Sequence, residues 1–324
     1  MVLKQVLQIS DLLENPEVEA EALRRVFLRC GLERGDFQAQ RVKGKKGETQ
    51  FIKVRIPGTK VSRGGRPAPV LGIIGRLGGI GARPHKIGLV SDADGAIVAL
   101  AAGLKIAELK DRGDGLFGDV IVTTHLSPRS PIIPHEPVPF MDAPVSMVQM
   151  NRHEVDARMS AILSVDTTKG NRFINERGFA ISPTVKDGYI LKVSADLLDI
   201  MQNVTGRRPV VFPVTTQDIT PYGNGVDHLN SIMQPATATH APVVGVALTA
   251  ETAVPGCASG ANQPWDIELA ARFCVEVAKA YGRGECAFYD EPEFLRLLKL
   301  YGSLERFKTL GQFRSRKSRF EPDN

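Results

Sequence analysis

Residues 86–100, KIGLVSDADGAIVAL, are the most informative part of the sequence. Asp92, Asp94 and a glycine stand directly before small apolar residues, and this pattern predicts a helix over residues 94–111. Carboxylate oxygens at this position can bind a divalent metal. They can equally cap the helix, because an aspartate accepts hydrogen bonds from the free N–H groups of the first turn. The pair therefore indicates either a metal site or a helix cap.

Outward from this helix, apolar segments of strand length alternate with longer helical segments. The apolar segments lack polar alternation, which is typical of strands buried on both faces. We predict strands at residues 70–75, 119–124, 160–165, 209–214 and 242–248, and helices at 94–111, 190–205, 225–233, 264–282 and 291–308. The pattern predicts an α/β fold in which helices flank a mixed central sheet on both faces.

The N-terminal part differs in composition. The apolar pattern of residues 11–32 predicts one helix. Residues 34–69 are polar and basic and are predicted to be mostly loop, apart from a strand at 51–56. The interval 126–158 is too long for a plain connection, so it is a functional loop or an excursion. We predict an N-terminal extension at residues 1–67, an α/β domain at 68–310 and a basic, disordered tail at 311–324.

Composition excludes several classes of protein. The chain has 324 residues, 43% of them hydrophobic, and a net charge of +5, so it can bury a substantial core. Its basic clusters lack interleaved aromatic residues, so we expect no nucleic-acid partner. The N terminus lacks a secretory pattern, and no window approaches the ~20 apolar residues of a membrane span. The four cysteines form no Cys-x-x-Cys pair. We expect a cytoplasmic protein without membrane contact.

Polar residues follow the predicted strands. Arg76 follows the first strand, His125 the second and Asp166 the third, and Glu251 follows the last one. In open α/β sheets, ligands bind beyond the carboxyl ends of the strands. A cluster drawn from several strand ends is what a metal site requires.

In this order, the chain resembles the zinc aminopeptidase superfamily of co-catalytic metallopeptidases, over about residues 68–283. Asp92 looks like the bridging aspartate of that superfamily, and Asp166 in LSVDTT looks like its later ligand aspartate. The segment Gly225-Val226-Asp227-His228 is similar to its Gly-Thr-Asp-Ala segment. The chain also resembles a divergent, uncharacterised bacterial family whose domain has no known function.

Several ligand positions depart from the superfamily pattern. Arg76-Leu77-Gly78 stands where His-x-Asp is expected, and Thr124-His125-Leu126 stands where paired glutamates are expected. Residues 254–260 hold no late histidine, so Glu251 is the nearest substitute.

The resemblance implies a metal-dependent hydrolase that cleaves an amide bond of a small peptide or amino-acid derivative. It also implies a zinc-peptidase-like fold and a homo-oligomer. The implied roles are metal binding (zinc or manganese) for Asp92, Asp166 and Glu251, catalysis for His125 and Asp94, and substrate binding for Arg76, Asp227 and His228.

Other interpretations stay open. A fixed guanidinium at Arg76 could pair with Asp92 or bind a carboxylate ligand, in a scaffold that has lost the metal and serves as a binding or regulatory subunit. His125 could be a hydrogen-bonded structural histidine, and Asp166 could form an Asx turn. A reaction without metal would use His125 or Cys257.

Overall fold

The computed structural model describes residues 1–59, 67–76, 88–128, 130, 132–134, 140–171, 173–214, 231–256 and 260–309. Its helices are α1 Leu3–Glu14, α2 Ala20–Leu28, α3 Asp94–Asp111, α4 Met147–Glu154, α5 Ala195–Thr205, α6 Pro264–Gly282 and α7 Glu291–Tyr301. Its strands are β1 Phe37–Gly44, β2 Gly47–Ile56, β3 Leu71–Gly75, β4 Val120–Leu126, β5 Ile132–Ile133, β6 Phe140–Met141, β7 Ala161–Thr167, β8 Gly178–Ile181, β9 Val185–Lys186, β10 Tyr189–Ile190 and β11 Val243–Thr249.

A nine-stranded mixed sheet organises the molecule. Its order is β1-β2-β4-β3-β7-β11-β9-β10, and β8 also pairs with β11. Strands β4, β3, β7 and β11 run parallel, whereas β2 is antiparallel to β4. This sheet and its flanking helices confirm the predicted α/β class.

The two faces of the sheet carry different cores. Helices α1, α2, α3, α5 and α6 supply the larger apolar core on one face. A 3₁₀ helix at Ser231–Thr237 packs on the other face, against Ile74, Ile121 and Ile162. Helix α4 lies next to this 3₁₀ helix.

Small residues bring α3 close to the sheet. A Cβ atom at Gly75 would lie 2.7 Å from the carbonyl oxygen of Gly95, and a Cβ at Gly95 would lie 2.8 Å from the carbonyl oxygen of Arg76. Both distances are too short for a side chain. The glycines therefore set the close approach of the helix start to the ends of β3 and β7.

The N-terminal helix prediction is wrong in its continuity. Two helices, α1 and α2, replace the single helix predicted over residues 11–32. Asn15 precedes Pro16 and is extended (φ −68°, ψ 118°). The proline ring disfavours the helical conformation of the residue before it, so the chain must break there.

The loop predicted over residues 34–69 contains a hairpin. Strand β2 begins at Gly47, before the predicted strand at 51–56, and pairs with β1 along its length. Most of β1 is exposed, and its polar side chains gave no apolar alternation from which to recognise a strand. Because β2 also pairs with β4, the N-terminal segment supplies two strands of the main sheet.

Three further predictions needed correction. The predicted strand at 209–214 is reduced to a single bridge between Val211 and Ile181, because the flanking prolines lack the N–H group that a ladder needs. Helix α5 starts at Ala195, where Ser194 accepts a hydrogen bond from the amide of Leu197. Helix α7 ends at Tyr301, before Gly302 (φ 77°). Residues 225–230 and the predicted tail at 311–324 lie outside the described residues.

None of the helices in the described part of the chain combines the length and apolar content that a membrane crossing requires.

Candidate active site

Three of the predicted site residues share one edge of the sheet. Ile74 pairs with Thr123 of β4, and Gly75 pairs with Val165 of β7. Extending the first register by two residues places Arg76 level with His125 of β4. Extending the second by one residue places Arg76 level with Asp166 of β7, so Arg76 lies between them. Neighbouring strands are about 4.8 Å apart.

The same three residues also share one face of the sheet. Ile74, Ile121 and Ile162 belong to the core around the Ser231–Thr237 helix. Side chains alternate between the faces of a strand, so residues two or four positions later return to the same face. We therefore define the strand-end row as His125, Arg76 and Asp166; all three are buried.

Helix α4 brings a carboxylate to this row. Arg76 Nη1 donates a hydrogen bond to Glu154 Oε2 at 2.8 Å, and His125 Nδ1 lies 2.6 Å from Glu154 Oε1. Asn151, one turn earlier on α4, accepts a 3.2 Å hydrogen bond from Arg76 Nη1. The carboxylate paired with Arg76 is thus Glu154 and not Asp92, the partner that the sequence suggests.

Sequence reasoning missed Glu154 and Asn151. They lie in the interval 126–158, for which the sequence predicts a functional loop or an excursion. A spacing of three residues on a short helix, after the capping residue Ser146, was the available signal. It shows that both side chains share a face, but not that this face meets Arg76.

A second buried polar cluster surrounds Asp94, the first residue of α3. Lys169 Nζ donates a hydrogen bond to Asp94 Oδ2 at 2.6 Å and another to the carbonyl oxygen of Ala261 at 2.8 Å. Asn262 Nδ2 donates to Asp94 Oδ1 at 2.5 Å. Burial raises the pKa of the Asp94 carboxyl, although Lys169 and Asn262 oppose this shift. Lys169 and Asn262 were also missed by sequence reasoning.

Asp92 lies in a tight turn just before α3. Its amide donates a 3.2 Å hydrogen bond to the carbonyl oxygen of Gly256, and Ser91 Oγ donates to the same oxygen. A Cβ atom at Gly256 would overlap Asp92 Oδ1. Thr167 Oγ1 donates to the carbonyl oxygen of Ser91 at 3.0 Å, so this turn is tied to the residue after Asp166.

Glu251 is the one remaining predicted site residue that the structure describes, and it joins neither cluster. Glu251 is exposed beyond the end of β11. Asp227, His228 and Cys257 lie outside the described residues. Among the residues that the structure describes, no three His, Cys, Asp or Glu side chains come together as a metal-binding group.

The mixed sheet and the polar ends of its parallel strands define an α/β protein with a buried charged site at one sheet edge. The chain belongs to the family described as "Protein of unknown function (DUF1177)", whose profile matches residues 40–311. Membership of a family without known function was predicted and is confirmed. The resemblance to zinc aminopeptidases stays a prediction.

The solved structures that this chain matches include a bacterial glutaminyl cyclase. A glutaminyl cyclase from an Acidobacteriales bacterium is 13% identical in sequence, with a TM-score of 0.47, over 87% of this chain and 94% of the cyclase. No curated protein matches.

Proposed function

We propose that this protein is a hydrolase that cleaves an amide bond in a small peptide or amino-acid derivative. The observation that carries the proposal is the strand-end row, in which His125 and Asp166 share one face and one edge of the sheet. Asp92 is tied to that edge through Ser91 and Thr167. A histidine and two carboxylates, all buried, supply the base and the oxygen ligands that hydrolysis requires.

A divalent cation fits part of this donor set. Asp92 and Asp166 would hold it, because their hard carboxylate oxygens suit zinc or manganese. Glu251 is the third predicted ligand, from the segment after β11. When bound, such a cation would polarise the scissile carbonyl and lower the pKa of a bound water.

In the proposed reaction His125 moves the proton. Its Nε2 takes a proton from the attacking water while the water oxygen bonds to the carbonyl carbon. The same nitrogen gives this proton to the amide nitrogen as the C–N bond breaks, so the products are a carboxylic acid and an amine. Asp227 and His228 are the proposed substrate contacts.

Metal content tests the proposal. Protein purified without a histidine tag and incubated with zinc or manganese is analysed by elemental mass spectrometry, beside Asp92→Asn and Asp166→Asn. We expect close to one equivalent in the wild type and a loss of at least tenfold in both variants. Asp119→Asn is the matched control, because Asp119 pairs with Arg55 just before β4, at the opposite edge of the sheet.

The two buried ion pairs favour a second candidate, a metal-free scaffold that binds a small ligand or acts as a regulatory subunit. Arg76 neutralises Glu154, and Lys169 neutralises Asp94, so protein cations balance these carboxylates without a metal.

Absence of bound metal in the wild type after incubation would overturn the hydrolase proposal in its metal-dependent form and favour this scaffold. Retention of metal in both aspartate variants would overturn the assigned ligands.

A further inference from the structure

We infer that Glu154 is a positioning residue that holds the proton of neutral His125 on Nδ1 and so keeps Nε2 as the proton acceptor. The use of Nε2 in hydrolysis rests on the proposed function, whereas the position of the proton does not. The inference starts from three buried side chains: Glu154 lies between Arg76 and His125, and all three are at most 2% exposed at the side chain.

Arg76 determines the state of Glu154. A guanidinium has only donors and stays protonated in proteins, so Glu154 Oε2 must accept its hydrogen bond. A carboxylate that faces a guanidinium at 2.8 Å is ionised, and an ionised carboxylate only accepts. Glu154 Oε1 therefore accepts from His125 Nδ1, which must carry a proton.

Further hydrogen bonds hold Arg76 and Glu154 in place. Asn151 Oδ1 accepts from Arg76, while Asn151 Nδ2 donates to the carbonyl oxygen of Gln234 at 3.4 Å. Thr123 Oγ1, on β4, donates to the carbonyl oxygen of Glu154 at 2.8 Å. Thr123 lies two residues before His125 on β4, so the end of α4 is bonded to the strand that carries His125.

Nε2 is the nitrogen that this arrangement leaves for chemistry. A neutral imidazole has one N–H group and one acceptor nitrogen. The contact with Glu154 uses Nδ1 and leaves Nε2 outside it. A fixed Nδ1–H therefore sets a lone pair on Nε2, as in other sites where a carboxylate orients a histidine base.

The variant Glu154→Gln makes a sharp prediction, because an amide has one acceptor and one donor end. Arg76 requires the acceptor, so the NH₂ group of the new side chain faces His125 Nδ1. Nδ1 must then accept, and the proton moves to Nε2. Charge is lost at residue 154, but the shape of the side chain hardly changes.

Long-range ¹H–¹⁵N NMR of the full-length, metal-free protein with labelled histidines reads this proton directly, and loss of the signal in His125→Phe assigns it. We expect the proton on Nδ1 in the wild type and on Nε2 in Glu154→Gln. Asp156→Asn is the matched control: it removes another ion-paired carboxylate, two residues away, and should leave the proton on Nδ1.

A neutral wild-type His125 with its proton on Nε2 would overturn the inference, and this holds even if Glu154→Gln fails to fold. An unchanged tautomer in folded Glu154→Gln would also overturn it. The tautomer is measured without metal or substrate, so an absence of hydrolysis would contradict only the proposed function. If hydrolysis is found, Glu154→Gln should lower kcat roughly 10²- to 10⁴-fold.

Discussion

At the scale of single residues, the site is governed by buried charges that are balanced by neighbouring side chains. The ammonium of Lys169 and the carboxylate of Asp94 are both at most 1% exposed at the side chain. Desolvation of such a pair is costly, so each partner depends on the other. Arg41 and its partner Glu48 form an exposed pair on the β1–β2 hairpin and offer a direct contrast.

We predict that Lys169→Met lowers the free energy of unfolding by about 3–5 kcal/mol, because it leaves the Asp94 carboxylate buried without its cation. Adding Asp94→Asn should recover part of this loss. Urea unfolding of the two single variants and the double variant measures the coupling free energy. Arg41→Met, the control, should lower the free energy of unfolding far less, because water still solvates the exposed partner Glu48. Strictly additive effects at Lys169 and Asp94 would contradict the predicted coupling.

Residues at strand ends could be predicted, whereas their partners could not. His125 and Asp166 follow apolar runs, and parallel strands bring such positions to one edge. Glu154 and Lys169 have no comparable signal, because their roles depend on which surfaces meet after folding. The sequence therefore identifies Arg76 and Asp94 as candidate site residues, but it does not identify their ion-pair partners, Glu154 and Lys169.

At the scale of elements, the segment after α4 is fastened to β2 by Asp156. Its Oδ2 accepts a 2.7 Å hydrogen bond from Lys53 on β2, and its Oδ1 accepts one of 2.8 Å from Arg158 Nε. The hydrogen bonds from Arg158, followed by that from Lys53, hold the pKa of Asp156 far below its usual range despite partial burial. These contacts join the segment after α4 to β2, whereas Glu154 itself is held by its own hydrogen bonds to Arg76, His125 and Thr123.

The depressed pKa of Asp156 predicts a pH-dependent stability. A carboxylate with a lower pKa in the folded state stabilises the protein above its unfolded pKa of about 3.9, and this contribution is lost as the pH falls towards the folded pKa. The difference in unfolding free energy between wild type and Asp156→Asn should therefore shrink below about pH 4. Urea unfolding from pH 7 to pH 3.5 measures it, and a constant difference would contradict the assignment.

Long periodic elements were predicted well, and their ends less well. Helix α3 and strand β11 follow from uninterrupted apolar runs. The break at Pro16 and the early end of α7 at Gly302 depend on single residues that stop a helix. The hairpin β1–β2 escaped recognition because its exposed strand has the composition of a loop.

At the scale of the whole molecule, the larger apolar core excludes solvent from Cys274, a buried residue of α6. This residue is fully buried, and burial raises the pKa of its thiol. Alkylation requires a thiolate that can reach the reagent. Cys30, on the surface next to α2, is only half-buried.

We predict that iodoacetamide labels Cys274 at pH 8 only after global unfolding. The logarithm of its labelling rate should then increase linearly with urea concentration, with the same slope by which the unfolding free energy decreases. Peptide mapping by mass spectrometry separates Cys274 from Cys30, which should react faster in the native protein. Native-state labelling of Cys274 that does not respond to low urea would indicate local opening of α6.

The order of strands in the sheet has a consequence for how the chain reaches its native state. In the centre of the sheet Leu71 pairs with Ala161, and Ile162 pairs with Val243, so most of the ladder joins distant parts of the chain. Long loops must close before such contacts form, which slows folding. Until then, the continuous apolar strands remain exposed to other copies of the chain. Refolding yield should therefore fall as protein concentration rises, and during synthesis in a cell β3 emerges long before β7, the strand that covers one of its sides.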